Sequence, residues 1–414
     1  MAYLIVDPVG AYPAETVPFL ARQVGQGAVA VFSTPERLAL WRGKWSQRIG
    51  EHVLDTYLAP AAGSVRALAE EIRARWPHLR GIVPWDEESI FLGAALGDAL
   101  GLRWNSLQVI ERCRDKAVMK DHLRRLGTVR VNAGAVVTDA AGARAFQRHV
   151  GRWPIVVKPT GGAGSEHVFF ARGEDDLLRR CQQVLDSGAG RVLLEEYIGG
   201  DELCVNGQVD ANGDLLVTDV WIYDRRPSHG VDNLYFETTS VPTTDPRFAA
   251  LGDYAARVVE GLGLRRAPIH LEIKVDDRGP CIIEIGARLA GGNLPVLAGK
   301  LHGRSLLELA AVHYLAAGPV RRTDVDYARY DRWEAKVVLG AQQVALPRIR
   351  AVHGVEEVQR LPSFSSFGFV RPVGSGAPRT IDLETRGWEV YLIHHDRAQV
   401  ARDGRRVREL LWYE

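Results

Sequence analysis

The sequence predicts an α/β fold whose first part is a parallel β-sheet covered by helices on both faces. Short, wholly apolar runs recur at Ala2–Val6, Ala28–Phe32 and Gly81–Trp85, and stretches of helical character lie at Glu15–Val24 and Glu87–Leu100. Apolar runs of this length, separated by helices, are typical of parallel strands buried on both faces. No G-x-G-x-x-G motif follows the first run, so a Rossmann dinucleotide site is not predicted.

Length and composition indicate an ordinary globular chain of several domains. The 414 residues correspond to about two to four domains. A hydrophobic content of 46% and a charged content of 25% exclude disordered and collagen-like proteins. With 52 Lys and Arg against 51 Asp and Glu, the net charge of +1 gives no global field for binding nucleic acid or an anionic membrane. The longest run without an acidic or basic residue, Gln23–Pro35, is shorter than the roughly 20 apolar residues of a membrane span.

The termini and the cysteines favour a cytoplasmic protein. The first residues carry no cationic segment and reach Asp7 after a short apolar run, so no signal peptide is predicted. The four cysteines are widely separated, without C-x-x-C spacing, and we expect small buried side chains rather than a disulfide or metal cluster. They are Cys113, Cys181, Cys204 and Cys281.

The rest of the chain divides into three further blocks. Asp115 is a good N-cap for a helix that Gly127 ends, and residues 129–198 have the pattern strand–helix–strand–strand–helix–strand. The next block is rich in short β-branched strands and ends in a helix near Ser305–Ala316, and the last is a small β-rich appendage with a terminal helix near Ala398–Leu411. The predicted domains are residues 1–110, 111–198, 199–320 and 321–414.

A glycine-rich turn follows a lysine in VVKPTGGAGSEHV, residues 156–168. Backbone amides at Gly161, Gly162 and Gly164 can approach phosphate oxygens closely, and Lys158 supplies a positive charge. This is not a Walker A loop, because there the lysine follows the glycines and begins a helix. From these residues alone, both a phosphate-binding loop and a simple hairpin turn remain open.

Acidic residues stand out in two later segments. In RVLLEEYIGGDELCV, a strand ends in two carboxylates and a Gly-Gly turn, and Glu202 enters the next strand. In HLEIKVDDRGPCIIEIGARLAGG, two strands joined by a turn carry Glu272 and Glu284. Period-2 alternation, which groups His270 with Glu272 and Ile282 with Glu284, brings the two carboxylates together across an antiparallel pair. Like charges so placed favour a cation between them, and Mg²⁺ suits such oxygen ligands, although a surface pair with Lys or Arg is an alternative.

Taken together, these motifs resemble the ATP-grasp superfamily over residues 107–317, with the first hundred residues similar to the domain that usually precedes it. The resemblance implies an ATP-grasp fold and gives each residue an expected role. Lys116 and Lys158 match the nucleotide lysines, and Glu202 matches the ribose acid. The loop that closes over the triphosphate corresponds to Gly161, Gly162, Gly164 and Ser165; the adenine hinge to Glu195 and Ile198; the metal carboxylates to Glu272 and Glu284; and the arginine that stabilises the transferred phosphate to Arg288.

One position departs from this pattern. Many members of the superfamily carry Asn two residues after the second carboxylate as a third metal ligand, and this chain has Gly286 there. Among the members, IIEIGARLAGG and NSLQVIERCRDKAVMKDHLRRLG look most like the carboxylate–amine ligases that form dipeptides. The segment DNLYFETTSVP resembles their substrate segment, in which Glu237 falls on an acidic position suited to a substrate ammonium, although Ser240 replaces a common histidine.

The resemblance therefore implies an ADP-forming ligase that joins an amino acid to an amine or second amino acid through an acyl phosphate. Its expected cofactors are ATP and Mg²⁺, with Mn²⁺ as a substitute. Its expected partners are small carboxylic acids and amines, not nucleic acid or membrane, and a homodimer is common among similar enzymes. Two alternatives are another ATP-grasp reaction, carboxylation or formyl transfer on a purine or biotin-type substrate, and a nucleotide-binding regulator without chemistry.

Overall fold

The computed structural model describes residues 2–10, 12–25, 27–60, 64–161, 167–315 and 318–414. Its strands are β1 (Ala2–Val6), β2 (Ala28–Phe32), β3 (Val53–Leu58), β4 (Leu79–Pro84), β5 (Gly134–Val137), β6 (Ile155–Pro159), β7 (Phe169–Ala171), β8 (Val192–Glu196), β9 (Asp201–Val209), β10 (Leu215–Ser228), β11 (Val231–Val241), β12 (Ala267–Asp276), β13 (Gly279–Gly286), β14 (Glu334–Leu339), β15 (Val352–His353), β16 (Phe364–Val370), β17 (Trp388–His394) and β18 (Trp412–Tyr413). Its α-helices are α1 (Pro13–Val24), α2 (Pro35–Leu40), α3 (Ser46–Ile49), α4 (Val65–Arg75), α5 (Ile90–Leu100), α6 (Leu107–Arg114), α7 (Lys116–Leu126), α8 (Ala140–Val150), α9 (Glu174–Val184), α10 (Pro246–Leu262), α11 (Leu294–His302), α12 (Leu306–Leu315), α13 (Tyr327–Tyr330), α14 (Val355–Gln359) and α15 (Arg397–Leu410).

The N-terminal sheet is parallel, as its apolar runs predict. Its strand order is β3-β2-β1-β4. Alternate residues of β1 enter two different cores: Tyr3 and Ile5 pack on the side of α1, whereas Leu4 packs on the side of α4. Because both faces are covered, the strands have no polar face, which explains their continuous apolar sequence.

A second, four-stranded sheet forms the part that we call the lid, residues 134–196. Its order is β5-β8-β6-β7, all pairs are antiparallel, and α8 and α9 cover a small core of its own. The preceding helix α7 begins as predicted, because the Asp115 carboxylate accepts hydrogen bonds from the Ala117 and Val118 amides at 2.9 and 3.0 Å. It ends at Gly127, whose φ of 66° is left-handed.

The largest sheet is antiparallel and has the order β13-β12-β9-β10-β11-β14-β17-β16. Strands from before and after residue 320 share it, since β11 pairs with β14. The β-rich C-terminal region is therefore continuous with the strands that precede it. Helix α10, of 17 residues, covers this sheet and has no counterpart among the predicted elements.

The helices and cysteines agree with the composition. None of the helices in the described part of the chain is both long and apolar enough to cross a membrane. All four cysteines are free and buried, as expected for small apolar side chains.

Candidate functional site

A cavity of about 360 Å³ lies between the lid, the large sheet and the loop that follows β13. Most of the site residues expected from the sequence line it, namely Lys116, Lys158, Gly161, Glu195, Ile198, Glu202, Glu272, Glu284 and Arg288. The expected loop residues Gly162, Gly164 and Ser165 lie outside the described residues. The structure thus brings together side chains that are up to 172 positions apart in the chain.

Glu272 and Glu284 are direct partners across the β12–β13 pair, as the alternation predicts. The expected pairing of faces fails next to them, because the register shifts between Glu272 and Ile273. Ile283 is the extra residue of this bulge, so Ile283 and Glu284 both line the cavity while Ile282 enters the core. The bulge leaves the two carboxylates opposite each other at the cavity wall.

Positive groups compensate this pair of carboxylates. The Lys116 Nζ atom lies 2.8 Å from a Glu284 oxygen. Burial alone would raise the pKa of Glu284, but the attraction of Lys116 outweighs it, so the pKa lies below its usual value. The Glu272 carboxylate lies 3.5 Å from His270 Nε2 and 3.8 Å from Arg225. The described residues contain no group of three or more His, Cys, Asp or Glu that could hold a metal. The carboxylates of Glu272 and Glu284 are the protein ligands that the site offers to a hard cation.

Lys158 belongs to a buried group of three charges. The Glu195 carboxylate lies 2.8 Å from Lys158 Nζ and 2.6 Å from Lys120 Nζ, and Lys120 also donates to the Asn132 side chain at 2.8 Å. Burial would raise the pKa of Glu195, but the two ammonium groups lower it to about 2. One carboxylate cannot neutralise two ammonium groups, and burial lowers the pKa of Lys120 to about 8.

The side chain of Glu195 therefore has a role beyond the backbone contact expected from the resemblance. Its backbone lies inside the lid sheet, where it pairs with Gly134 on one side and Val156 on the other. The Asn132 side chain donates to the carbonyl of the next residue, Glu196, at 2.9 Å. Sequence reasoning did not single out Lys120 or Asn132; the spacing of Lys116 and Lys120 on one helical face was the available signal.

Arg288 is held by an acidic residue from the N-terminal region. Glu87, just after β4, pairs with both Arg288 and Arg114. Burial would raise the pKa of Glu87, but the two arginines lower it. A Cβ atom at Gly286 would lie 3.2 Å from the Arg288 side chain and 3.3 Å from the Glu87 carboxylate, so a side chain there would require this pair to shift slightly. Glu87 was not identified from the sequence, because no local pattern connects residues 201 positions apart.

Glu202 lines the cavity with its carboxylate already paired. It lies 2.8 Å from Arg225 and 3.4 Å from Lys274, the residue opposite it on β12. Ile198, which follows the last lid strand, is buried at the same wall. The expected adenine and ribose residues thus line the same cavity as Lys158.

The structure corrects the placement of Glu237. Tyr235 and Thr238 line the cavity, but Glu237 pairs with Lys336 and, at 2.7 Å, with Arg408 of the C-terminal helix α15. The physical reason is a register shift in the β10–β11 pair, where Asp224 faces Glu237 but Arg225 faces Tyr235. This bulge reverses the alternation along β11 and turns Glu237 to the opposite face.

Residues of the C-terminal region also line the cavity. They are Val337 and Leu339 of β14, Glu389 of β17, and Leu383 and Arg386 from the segment between β16 and β17. The sequence analysis assigned no functional residue in this region. The only sequence signal that pointed to this region was a β-rich segment following the predicted metal carboxylates.

Comparisons with known proteins agree with this geometry. Residues 151–295 match the family model described as ATP-grasp domain. Among curated proteins, the chain is 27% identical over 258 residues to dapdiamide A synthase of Enterobacter agglomerans, covering 60% of this chain and 59% of that protein. It is also 27% identical over 236 residues to alanine–anticapsin ligase of Bacillus subtilis, covering 51% of this chain and 49% of that one. The matched part therefore spans about half to three fifths of the length of these relatives.

A solved structure extends the similarity to the whole chain. The L-amino acid ligase from Bacillus licheniformis superposes with a TM-score of 0.76 at 15% identity, covering 100% of this chain and 98% of that one. A phosphoribosylglycinamide synthetase from Anaerococcus prevotii superposes with a TM-score of 0.66 at 13% identity. The chain has the mixed α/β ATP-grasp fold, and the resemblance found in its sequence is confirmed.

Proposed function

We propose that this protein is an ATP-dependent carboxylate–amine ligase that joins an amino acid to an amine or a second amino acid and releases ADP and phosphate. The observation that carries the proposal is the convergence of two lysines, two opposed carboxylates and one arginine on a single cavity. They are Lys116, Lys158, Glu272, Glu284 and Arg288. The similarity to proteins named as amino-acid ligases supports this class of reaction.

In this proposal, one end of the cavity holds the nucleotide. Lys116 and Lys158 contact its phosphates, and the loop containing Gly161, Gly162, Gly164 and Ser165 covers them. Ile198 and the segment after Glu195 contact the adenine, and Glu202 contacts the ribose. Lysine ammonium groups suit phosphate oxygens, and both side chains are already held near carboxylates at 2.8 Å.

The donor set at Glu272 and Glu284 fits Mg²⁺ or Mn²⁺. Both are hard cations that prefer carboxylate oxygens and keep several water or phosphate ligands, so two protein carboxylates suffice. When bound, the metal neutralises charge on the phosphates. Lys116, which now compensates Glu284, would then be available to the nucleotide.

The proposed reaction has two steps. A carboxylate oxygen of the acid attacks the γ-phosphorus of ATP, the bond from that phosphorus to the bridging oxygen breaks, and ADP leaves with an acyl phosphate remaining. The amine nitrogen then attacks the acyl carbon, its proton is lost, the carbon–oxygen bond to phosphate breaks, and an amide forms. Arg288 stabilises negative charge on the phosphoryl oxygens in the first step and on the tetrahedral oxyanion in the second.

The environment of Arg288 supports this assignment. The side chain is fixed by Glu87, donates to the Leu289 carbonyl at 2.8 Å, and lines the cavity beside Glu284. A guanidinium fixed before the reaction requires little reorganisation as charge develops. Its pKa is raised, because the attraction of Glu87 outweighs the effect of burial, so it stays charged.

The proposal includes small-molecule substrates and a cytoplasmic location. Four free, buried cysteines fit a reducing compartment. The near-balanced charge of +1 gives no general attraction for nucleic acid. A homodimer remains a prediction from the resemblance.

Trapping the acyl phosphate tests the proposal. The protein is incubated with ATP, MgCl₂, hydroxylamine and each of the L-amino acids in turn, and hydroxamate and ADP are measured. We expect at least one amino acid to give hydroxamate and ADP in equal amounts, and Glu284→Ala to give neither. ATP turnover that requires bicarbonate, or turnover without hydroxamate for any amino acid, would favour carboxylation or formyl transfer instead.

A further inference from the structure

The part of the cavity lined by the C-terminal region combines apolar side chains with one basic side chain. Val337 and Leu339 of β14 and Leu383 are the apolar residues, and Arg386, which donates to the Leu383 carbonyl, is the basic one. None of these residues has a role in the proposed nucleotide or metal contacts. Their position suggests a subsite for a molecule that is neither ATP nor metal.

Arg386 is held in place by contacts on one side. Its Nε atom donates to Glu389 at 2.9 Å, its Nη1 atom donates to the Leu383 carbonyl at 2.6 Å, and its guanidinium lies 5.2 Å from the Phe369 ring centre. Within the described part of the chain, its Nη2 atom makes no hydrogen bond. The side chain is 25% exposed. A guanidinium fixed in this way keeps donors available for a ligand.

The Glu389 carboxylate already forms an ion pair with Arg386. It is 3% exposed, pairs with Arg386, and accepts a hydrogen bond from the Tyr391 hydroxyl at 2.7 Å. Its role is to orient Arg386 rather than to bind a second cation. Glu384 also lines the cavity.

This subsite adjoins the loop that carries Arg288. The Asn293 side chain donates to the Tyr391 hydroxyl at 2.9 Å, and a Cβ atom at Gly292 would lie 3.8 Å from the Glu389 carboxylate. Residues 292 and 293 follow Arg288 by four and five positions. A molecule beside Arg386 would therefore lie next to the loop that carries Arg288.

We propose that Arg386 binds the carboxylate of the amine substrate, and that this substrate is an α-amino acid with an apolar side chain. The inference rests on the proposed function and specifies its second substrate. A guanidinium forms paired hydrogen bonds with a carboxylate, and the wall of Val337, Leu339 and Leu383 suits an aliphatic or aromatic side chain. The product would be a dipeptide with a free carboxylate.

The test compares amino acids with their carboxamides as amine substrates. Amide formation is measured with ATP, MgCl₂, the acid that gives most hydroxamate, and L-alanine, L-valine, L-leucine, L-methionine or L-phenylalanine, each against its carboxamide. For the wild-type protein we expect a lower KM for at least one free amino acid. Because a hydrogen bond to a charged group contributes about 1.5–3 kcal/mol, Arg386→Gln should raise that KM about 10- to 100-fold.

Three further measurements give the result its meaning. Arg386→Gln should leave the KM for the carboxamide and the rate of hydroxamate formation within about twofold, and Arg386→Lys should recover part of the lost affinity. The matched control is Arg371→Gln: Arg371 also lies 5.2 Å from the Phe369 ring and contacts the Arg386 carbonyl, but it does not line the cavity. This control should not change the ratio of the two KM values.

The inference and the proposed function fail in different ways. If hydroxamate forms but the wild-type protein uses the carboxamides as well as the free amino acids, Arg386 does not select a carboxylate. Equal effects of Arg386→Gln on both substrates would also overturn the inference, since they would indicate a structural role. If Arg386→Gln does not fold, Arg386→Lys takes its place, and equal effects of Arg386→Lys on the KM values of both substrates would overturn the inference. Absence of hydroxamate in the wild-type protein would instead reject the proposed function.

Discussion

Two carboxylates of this protein, Glu195 and Glu237, each pair with two basic side chains, but only Glu195 lines the cavity. Glu195 lies 2.6 and 2.8 Å from two lysines, and Glu237 pairs with Lys336 and Arg408. Each joins separate parts of the chain through one negative and two positive charges. The sequence marked both as site residues.

What separates them is the position of their cations. Lys158 lines the cavity together with Glu195, whereas neither Glu237 nor its two partners does. Glu87 forms a third such group, and one of its partners, Arg288, also lines the cavity. A carboxylate between two cations is thus a recurring way of fixing positive side chains. Whether those side chains can act on a ligand depends on where the fold places them.

The largest effect should come from removing the charges at the cavity. Lys158→Ala and Glu284→Ala should each reduce ADP formation about 10³-fold or more, because each removes a group expected to contact the triphosphate or its metal. Lys336→Ala, which removes the equivalent cation beside Glu237, should leave ADP formation within about twofold. The measurement is ADP release with the folded state checked by circular dichroism. Wild-type turnover in Lys158→Ala would mean that the cation beside Glu195 matters no more for the reaction than the cation beside Glu237.

Removing Arg288 should have the next largest effect. Arg288→Ala should lower kcat about 10²-fold, by analogy with the loss of one oxyanion donor, and Arg288→Lys should recover only part of it. Arg408→Ala is the control, since Arg408 has the same kind of partner outside the cavity. Steady-state amide formation distinguishes them. Equal losses in Arg288→Ala and Arg408→Ala would mean that both act through stability.

Acid should weaken the group around Glu195. The pKa of Glu195 falls from 4.5 to about 2 on folding, so between these pH values the unfolded chain binds more protons than the folded one. The resulting stabilisation, on the order of 3 kcal/mol, is fully present above pH 4.5 and is lost as the pH falls to about 2. Urea unfolding should show that Glu195→Gln loses less free energy than the wild type over this range. Parallel curves would contradict the role assigned to the two lysines.

Glu195→Gln should also change nucleotide binding. Loss of the carboxylate leaves Lys158 without its fixed partner. Because a hydrogen bond to a charged group contributes about 1.5–3 kcal/mol, we expect the KM for ATP to rise about 10-fold. The value of kcat should change by less than about threefold. Initial rates at varied ATP concentration measure this. A fall in kcat with unchanged KM would assign Glu195 to the chemical step rather than to the position of Lys158.

The smallest effect should follow from Glu237→Gln. Its carboxylate joins β11 to Lys336 of β14 and Arg408 of α15, so its loss should cost about 1.5–3 kcal/mol in the free energy of unfolding, the contribution of a hydrogen bond to a charged group. Both KM values and kcat should remain within about twofold of the wild type. Urea unfolding and amide formation together check this. A raised KM for the amine substrate would instead support the sequence-based prediction that Glu237 contacts the substrate.

Local patterns predicted the parts of the site that lie on neighbouring elements. Glu272 and Glu284 lie on two strands joined by a short turn, so the sequence indicated that they meet across the pair. Their exact pairing also requires the bulge at Ile283, because the register set by the turn ends at Ile273 opposite Ile282. In the same way, Asp115 and Gly127 marked the two ends of α7. These features depend on residues that are close in the chain, and the sequence displays them directly.

Bulges and long-range contacts were not predictable in this way. A single extra residue at Ile283 and another in β11 reversed the alternation, which put Ile282 in the core and Glu237 outside the cavity. Glu87 reaches Arg288, and Arg386 reaches the cavity, only through tertiary packing, from regions that single-sequence patterns do not connect. The resemblance to a superfamily could not supply them either, because its motifs cover the nucleotide and metal contacts.

The continuous eight-stranded sheet determines which pieces of this protein can be exchanged between relatives by recombination. A break between β11 and β14 would separate paired strands and leave the backbone groups of β11 that face β14 without partners. The lid, by contrast, has its own sheet and its own core, so it can be exchanged between related proteins as one structural unit. A chimera with a new lid would keep the substrate end intact, whereas the wall around Arg386 can be transferred only together with the strands that carry Glu272 and Glu284.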